Sequence, residues 1–236
     1  MQFQKKIRQI HKIVGAVVAI QLLMWMISGL YMTAVPIQTI RGQHLVSEPP
    51  AHAITNINVI PMSELIKQYS GIQSISLKSR LRTPIYSIET TDSTFHLNAI
   101  TGTKLPKITE TEAKHLALSA YKGDGQLRLL KLVTTRQQAP DTSGRALPLW
   151  KAEFDDTFNT RLYISVVMGK VVAVRTDLWR IFDFLWMLHI MDYEERENFN
   201  NPVVIFMASL GLFTVLSGLI LVVNTVRKRG LKGLTY

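Results

Sequence analysis

Two stretches of the chain carry no charged residue, Ile13 to Val35 and Pro202 to Asn224. As helices of about 1.5 Å rise per residue each would span roughly 34 Å, enough for a hydrocarbon core of about 30 Å. Both predict transmembrane helices. The first is longer than the apolar core of roughly 7–15 residues in a cleaved signal and ends Tyr31-Met32-Thr33-Ala34-Val35-Pro36, which predicts an uncleaved anchor. The second opens after "NFNNP", where asparagine caps and a first-turn proline start a helix well.

Between these stretches the pattern changes to short helices followed by alternation. "PMSELIKQY" predicts a helix, and "IQSISLKSR", "PIYSIETT" and "TFHLNAI" predict strands. A second series follows: Thr109 and Glu112 form a capping box before "AKHLALSAY", and "LRLLKLVTT", "LPLWKAEF", "TRLYISVV" and "KVVAVRTD" read as strands. The two series align. Gly102 meets Gly169, Leu97 meets Ile164 and Lys104 meets Val171; upstream, Tyr86 meets Trp150 and Asp92 meets Asp156, with three extra residues in a connecting turn of the second copy.

The expected fold is therefore a membrane protein in which two transmembrane α-helices flank an α+β region made of two units, each a helix on an antiparallel sheet. The predicted boundaries are a basic tail over 1–12, the first span over 13–35 and the two units over 36–106 and 107–178. An amphipathic interfacial helix and linker follow over 179–200, then the second span over 201–225 and a basic tail over 226–236. The polar stretch "RQQAPDTSGRALP" predicts an exposed hairpin loop.

Charge sets the orientation. Lys5, Lys6, Arg8 and Lys12 precede the first span and Arg227, Lys228, Arg229 and Lys232 follow the second, with no acidic residue in either tail. Both termini are expected in the cytoplasm, and the region between the spans outside it. These eight residues leave 19 basic against 17 acidic residues elsewhere, so most of the net charge of +10 is a topology signal. It points to membrane lipid and no nucleic acid. With no cysteine, disulfides, iron–sulfur clusters and thiol catalysis are excluded.

The segment from "LPLWKAEFDDTFNTRLYISVV" through "LWRIFDFLWMLHIMDYEERENFNNP" resembles the end of a PepSY domain running into a PepSY-associated transmembrane helix, and "HKIVGAVVAIQLLMWMISGLYM" resembles the first helix of that family. The resemblance implies a bacterial inner-membrane protein with a periplasmic PepSY region. Larger relatives look like haem-bearing reductases that deliver electrons to ferric siderophores, and small two-span relatives are linked to ferric iron reduction. PepSY modules alone are associated instead with inhibiting or chaperoning secreted peptidases, so the site must decide.

Of six histidines, His44, His52, His96 and His115 show no ligand spacing and read as surface residues. His11 and His189 sit at opposite membrane boundaries. His11 shares a helical stripe with Gly15, Ala19 and Leu22, small enough for close approach of a helix or cofactor. His189 shares a face with Phe182, Leu185, Trp186 and Tyr193, a wall suited to a porphyrin, and Arg180 could reach a propionate. The plainer reading is an interfacial helix with Trp179, Trp186 and Tyr193 at headgroup level.

His11 and His189 are separated by most of a bilayer, about 30 Å, so one iron cannot take both. Haem ligation by His189 and His11 would need equivalent residues from two chains of a homodimer, whose four spans form a bundle. The expectation is a haem b protein that reduces ferric iron or a ferric chelate in support of iron uptake, that is, a ferric reductase. The alternative is a membrane-tethered PepSY module that scaffolds or regulates a partner without redox activity. The acidic stretches "FDD" and "MDYEERE" read as a hairpin turn and a solvated linker.

Overall fold

The computed structural model describes residues 2–47, 54, 57–80, 83–142 and 144–232, with side chains described for those between Lys5 and Arg227. It forms two compact units, Met1–Ile37 with Arg180–Tyr236, and Gln38–Trp179.

The first unit contains the two long apolar helices, α1 (Gln2–Ala34) and α6 (Pro202–Lys232). The buried positions of α1, Val18, Gln21 and Ser28, continue with the half-buried Ile7, His11, Val14, Trp25 and Met32 in a series alternately four and three apart. That spacing is a heptad seam. The helices run antiparallel: a Cβ on Gly211 would meet Val18 and Leu22, one on Gly15 would meet Thr214, and His11 bonds to Ser217. Away from the seam, Met26, Leu30, Phe206 and Val223 are each more than half exposed. Only 17% and 11% of the most apolar windows is buried, whereas a core helix of a soluble protein would hide nearly all of its apolar surface. The pair is compatible with two membrane spans.

The short helix α5 (Asp177–Ile190), whose residues from Arg180 on belong to the first unit, is at about 21 Å too short to cross a bilayer. The N-cap expected for α6 forms: Asn201 Oδ1 accepts from Val204 N–H at 3.0 Å.

The second unit holds two antiparallel sheets. The first comprises β1 (Ile72–Arg80), β2 (Thr83–Thr90) and β3 (Thr94–Asn98), preceded by α3 (Met62–Gln68). The other comprises β4 (Leu127–Val133), β5 (Leu149–Phe154), β6 (Arg161–Ser165) and β7 (Val171–Arg175), preceded by α4 (Glu110–Ala120). The capping box of Thr109 and Glu112 starts α4, and the small buried faces of Ala113 and Ala117 let it lie close on Ala152, Phe154, Leu162 and Ile164. In the first sheet, Leu65 of α3 packs on Tyr86, Ile88 and Leu97.

The internal repeat extends to individual bonds. β1 and β4 carry an irregularity at matching places, Ile72/Ser74 and Leu127/Leu129. Tyr86 pairs with Leu97, and Trp150 with Ile164. Tyr86 Oη donates to Ile60 O at 2.7 Å, and Trp150 Nε1 to Ile108 O at 3.3 Å. Gly102 (φ 71°) and Gly169 (φ 58°) turn the chain after β3 and β6, donating to Asn98 O and Ser165 O; left-handed backbone at both is why glycine recurs there.

The copies also differ. A counterpart of β7 is reduced in the first copy to a single bridge, Leu97 to Lys104, because Pro106 follows and has no N–H for a ladder. The 134–148 connection is the expected hairpin loop between the paired strands β4 and β5, and most of its described residues are exposed. Its polar residues bond inward, with the Arg136 guanidinium donating to Thr142 O and Arg145 O, and Ala139 joins Val133, Leu149, Tyr163 and Ala173 in a closed core. Residues 38–47, assigned by sequence to the first copy, lie along the second: Val46 bridges Tyr121, and Gly42 (φ 65°) leaves no room for a Cβ against Val174.

Candidate functional site

His189 lies one residue from the end of α5. Its Nδ1 is 2.7 Å from the Oγ of Ser28, a fully buried residue of α1. Ser28 Oγ is also within bonding distance of Met24 O at 2.7 Å and Trp25 O at 3.1 Å. With Nδ1 turned to the serine, Nε2 is the ring nitrogen left for a ligand.

His11 repeats the arrangement. Its Nδ1 is 2.8 Å from Ser217 Oγ, which donates to Thr214 O at 3.0 Å. The ring lies over Gly218, where a built Cβ would stand 3.1 Å from His11 Cε1. Each histidine thus has a serine on a neighbouring helix that engages Nδ1 and leaves Nε2 without a hydrogen bond among the described residues.

The end of α5 is held by side chains. Gln21 Nε2 donates to Leu188 O at 3.4 Å, Trp25 Nε1 to His189 O at 2.8 Å and Asn201 Nδ2 to Ile190 O at 2.8 Å. These are carbonyls that a helix C-terminus leaves unpaired, and Met191 then turns the chain at φ 55°. The helix expected at the membrane interface, α5, is anchored on α1. Its last turn docks on α1 at Gln21 to Ser28, inside the apolar stretch, and the polar side chains of α1 are what permit helix-end carbonyls at that depth.

The other expected residues have different surroundings. Trp186 Nε1 donates to Arg196 O at 3.0 Å, and its ring stacks on Phe182 at 6.2 Å. With the Arg196–Asp183 ion pair, it ties down the loop after α5. Arg180 is on the same helix, about 13 Å from His189 along the axis. Ala19, placed by sequence in the small stripe with His11, is exposed; the seam runs through Val18 instead.

The acidic stretches are structural. Asp192 accepts backbone N–H groups from Glu194, Glu195, Glu197 and Asn198; the bond from Asn198, then the others, outweigh its desolvation and hold its carboxyl below the usual range. Asp156 accepts from Tyr121 Oη at 2.9 Å and from Thr160 N at 2.7 Å. Burial and then the Asp156 bond push the Tyr121 hydroxyl up to about 12. Among the described residues, no three His, Asp or Glu side chains converge on a metal-sized site.

His44 and His115 are exposed, as expected, and His52 lies outside the described residues. His96 differs from expectation: its Nδ1 is buried without a hydrogen-bond partner. Sequence reasoning did not single out Gln21, Trp25, Ser28 or Ser217 as partners of the two histidines or of the helix end. Polar groups at heptad spacing inside a charge-free run were the available signal.

The residues fit axial ligation in one respect and restrict it in another. Both imidazoles present the correct nitrogen, yet Ser28 and His11 are about 25 Å apart along α1, so one iron cannot bind both within a chain. Comparison with protein-family models, with curated proteins and with solved structures gave no match to this chain.

Proposed function

We propose that this chain is a haem b protein of the bacterial inner membrane, of the PepSY-associated type, with both termini cytoplasmic and the two-sheet unit periplasmic. It acts as a homodimer that passes electrons to ferric iron or a ferric chelate in support of iron uptake. The observation that carries the haem reading is a paired arrangement: His11 of α1 and His189 of α5 each have Nδ1 bonded to a serine of another helix, Ser217 and Ser28, and Nε2 left for a ligand.

Bound haem would supply a one-electron couple at each level. The protein's part is to fix the ring planes of His189 and His11 through Ser28 and Ser217, to exclude water with Phe182 and Trp186, and to offer Arg180 to a propionate at the outer end. Ferric reduction itself rests on the family resemblance.

A second chain must complete each bis-histidine site, around a two-fold axis along the membrane normal. Co-expression of wild-type and His189→Ala chains in equal amounts tests this. About one quarter of randomly paired dimers keep both ligands, so haem at the His189 level falls to about one quarter. A value near one half means each chain binds haem alone; an unchanged value removes His189 as a ligand.

The second reading, a PepSY module without redox activity, draws on the fact that serine–histidine bonds also join membrane helices, at roughly 0.6–2 kcal/mol each. It expects function to survive His189→Ala and to be lost on substitution of the exposed sheet surface.

A further inference from the structure

The outer face of the first sheet, opposite α3, carries Lys78 and Arg80 from β1, Ile85, Ser87 and Glu89 from β2, and His96 and Asn98 from β3. Arg80, only 8% exposed, spans this face from one edge to the other: its Nη2 donates at 2.9 Å to Pro106 O, just beyond Leu105, whose N–H bonds to His96 O. Beneath it lie two buried polar atoms without partners, Arg80 Nε and His96 Nδ1. Unpaired buried groups of this kind are costly and uncommon.

The second copy shows what belongs there. By the alignment of Gly102 with Gly169, the position of His96 is occupied by Tyr163, whose hydroxyl donates to Asp141 Oδ1 at 2.5 Å; Asp141 Oδ2 has no hydrogen-bond partner and faces Arg161 Nη1 at the ion-pair distance of 3.7 Å. Asp141 belongs to the 134–148 connection. The first copy has no equivalent, because only two residues separate β1 from β2. It has His96 at the place of Tyr163 and Arg80 brought in from β1, while Thr94 stands where the second copy has Arg161, and it lacks the carboxylate.

We propose that this face of the first sheet binds a small organic carboxylate, held by Arg80 Nε–H and by His96 Nδ1–H, the latter at the position from which Tyr163 bonds Asp141 in the second copy. A small ligand is indicated because both nitrogens are buried, beyond reach of a folded partner's surface, while the exposed Lys78 at the rim supplies attraction. Burial, followed by Lys78 and Arg80, depresses the His96 pKa; a bound carboxylate would raise it. Glu89 on the same face is exposed and bonded to Ser74, and the charge of Glu112 acts on Arg80. The site stands independently of haem.

The test uses the full chain in detergent with ¹⁵N-labelled histidine, titrated with sodium acetate against sodium chloride at equal ionic strength. The expected result is a saturable shift of the His96 ring nitrogens and a rise in its pKa, with His44 and His115 unmoved. In His96→Phe, affinity for acetate measured by calorimetry falls about tenfold or more, the effect of a lost charge-assisted bond. A His96 signal indifferent to acetate, or moved equally by chloride, overturns the proposal.

Discussion

The two serine–histidine pairs look alike at the bond and differ in what surrounds them. Around His11 the support is steric: the ring lies on Gly218 between two long helices that also meet at Gly15 and Thr214. Around His189 the support is polar: the helix bearing it is pinned by Gln21, Trp25 and Asn201, one donor for each of its last three carbonyls. Holding a short helix end inside an apolar environment requires every carbonyl to be met, whereas two long helices need only close packing. The comparison teaches that His189 is fixed by a dedicated set of contacts and His11 by the general seam, so the two should respond differently to substitution.

The largest effect separates them directly. His189→Ala should remove the haem at its own level and leave that at His11, and His11→Ala the reverse, as read from haem per chain in the purified protein. If either change removes all haem, there are not two sites.

Next is the serine. Ser28→Ala frees the Nδ1 of His189 and should weaken haem retention by roughly 10–100-fold, the usual cost of losing an orienting bond to a ligand. Ser28→Thr, which keeps a hydroxyl, should restore the spectrum. A purely packing role for Ser28 would shift thermal stability in detergent and leave the haem potential unmoved.

The smallest effect probes the steric side. Gly218→Leu forces the His11 ring away and should destabilise the helix pair by about 1–3 kcal/mol, the range for overpacking. Gly29→Leu, where a Cβ meets nothing within 4 Å, serves as the control. Equal loss of thermal stability in both would mean that Gly218 has no special contact with His11.

Much of this architecture was legible because periodicity reports burial. The charge-free runs, the capping box of α4 and the offset between the two copies correspond closely to helices, cap and paired strands. The 134–148 connection was legible as an exposed hairpin loop, but its polar composition conceals the bonding by Arg136 and the burial of Ala139 and Thr142 within it. At the site, His11 and His189 stood out as lone titratable groups beside apolar runs. Their partners did not: serine is common in membrane helices, and no pattern in sequence links Ser28 to a histidine 161 residues away. His96 read as a surface residue because alternation gives the face of a strand but not what crosses it, here the side chain of Arg80.

The account depends most on whether haem is bound at all. The direct measurement is the absorption spectrum of the purified full-length protein, from cells supplied with ample haem, before and after dithionite. The account predicts an oxidised Soret band that sharpens and shifts on reduction, with the resolved α and β bands of low-spin bis-histidine haem b. A preparation that is folded and dimeric yet shows no Soret band contradicts it.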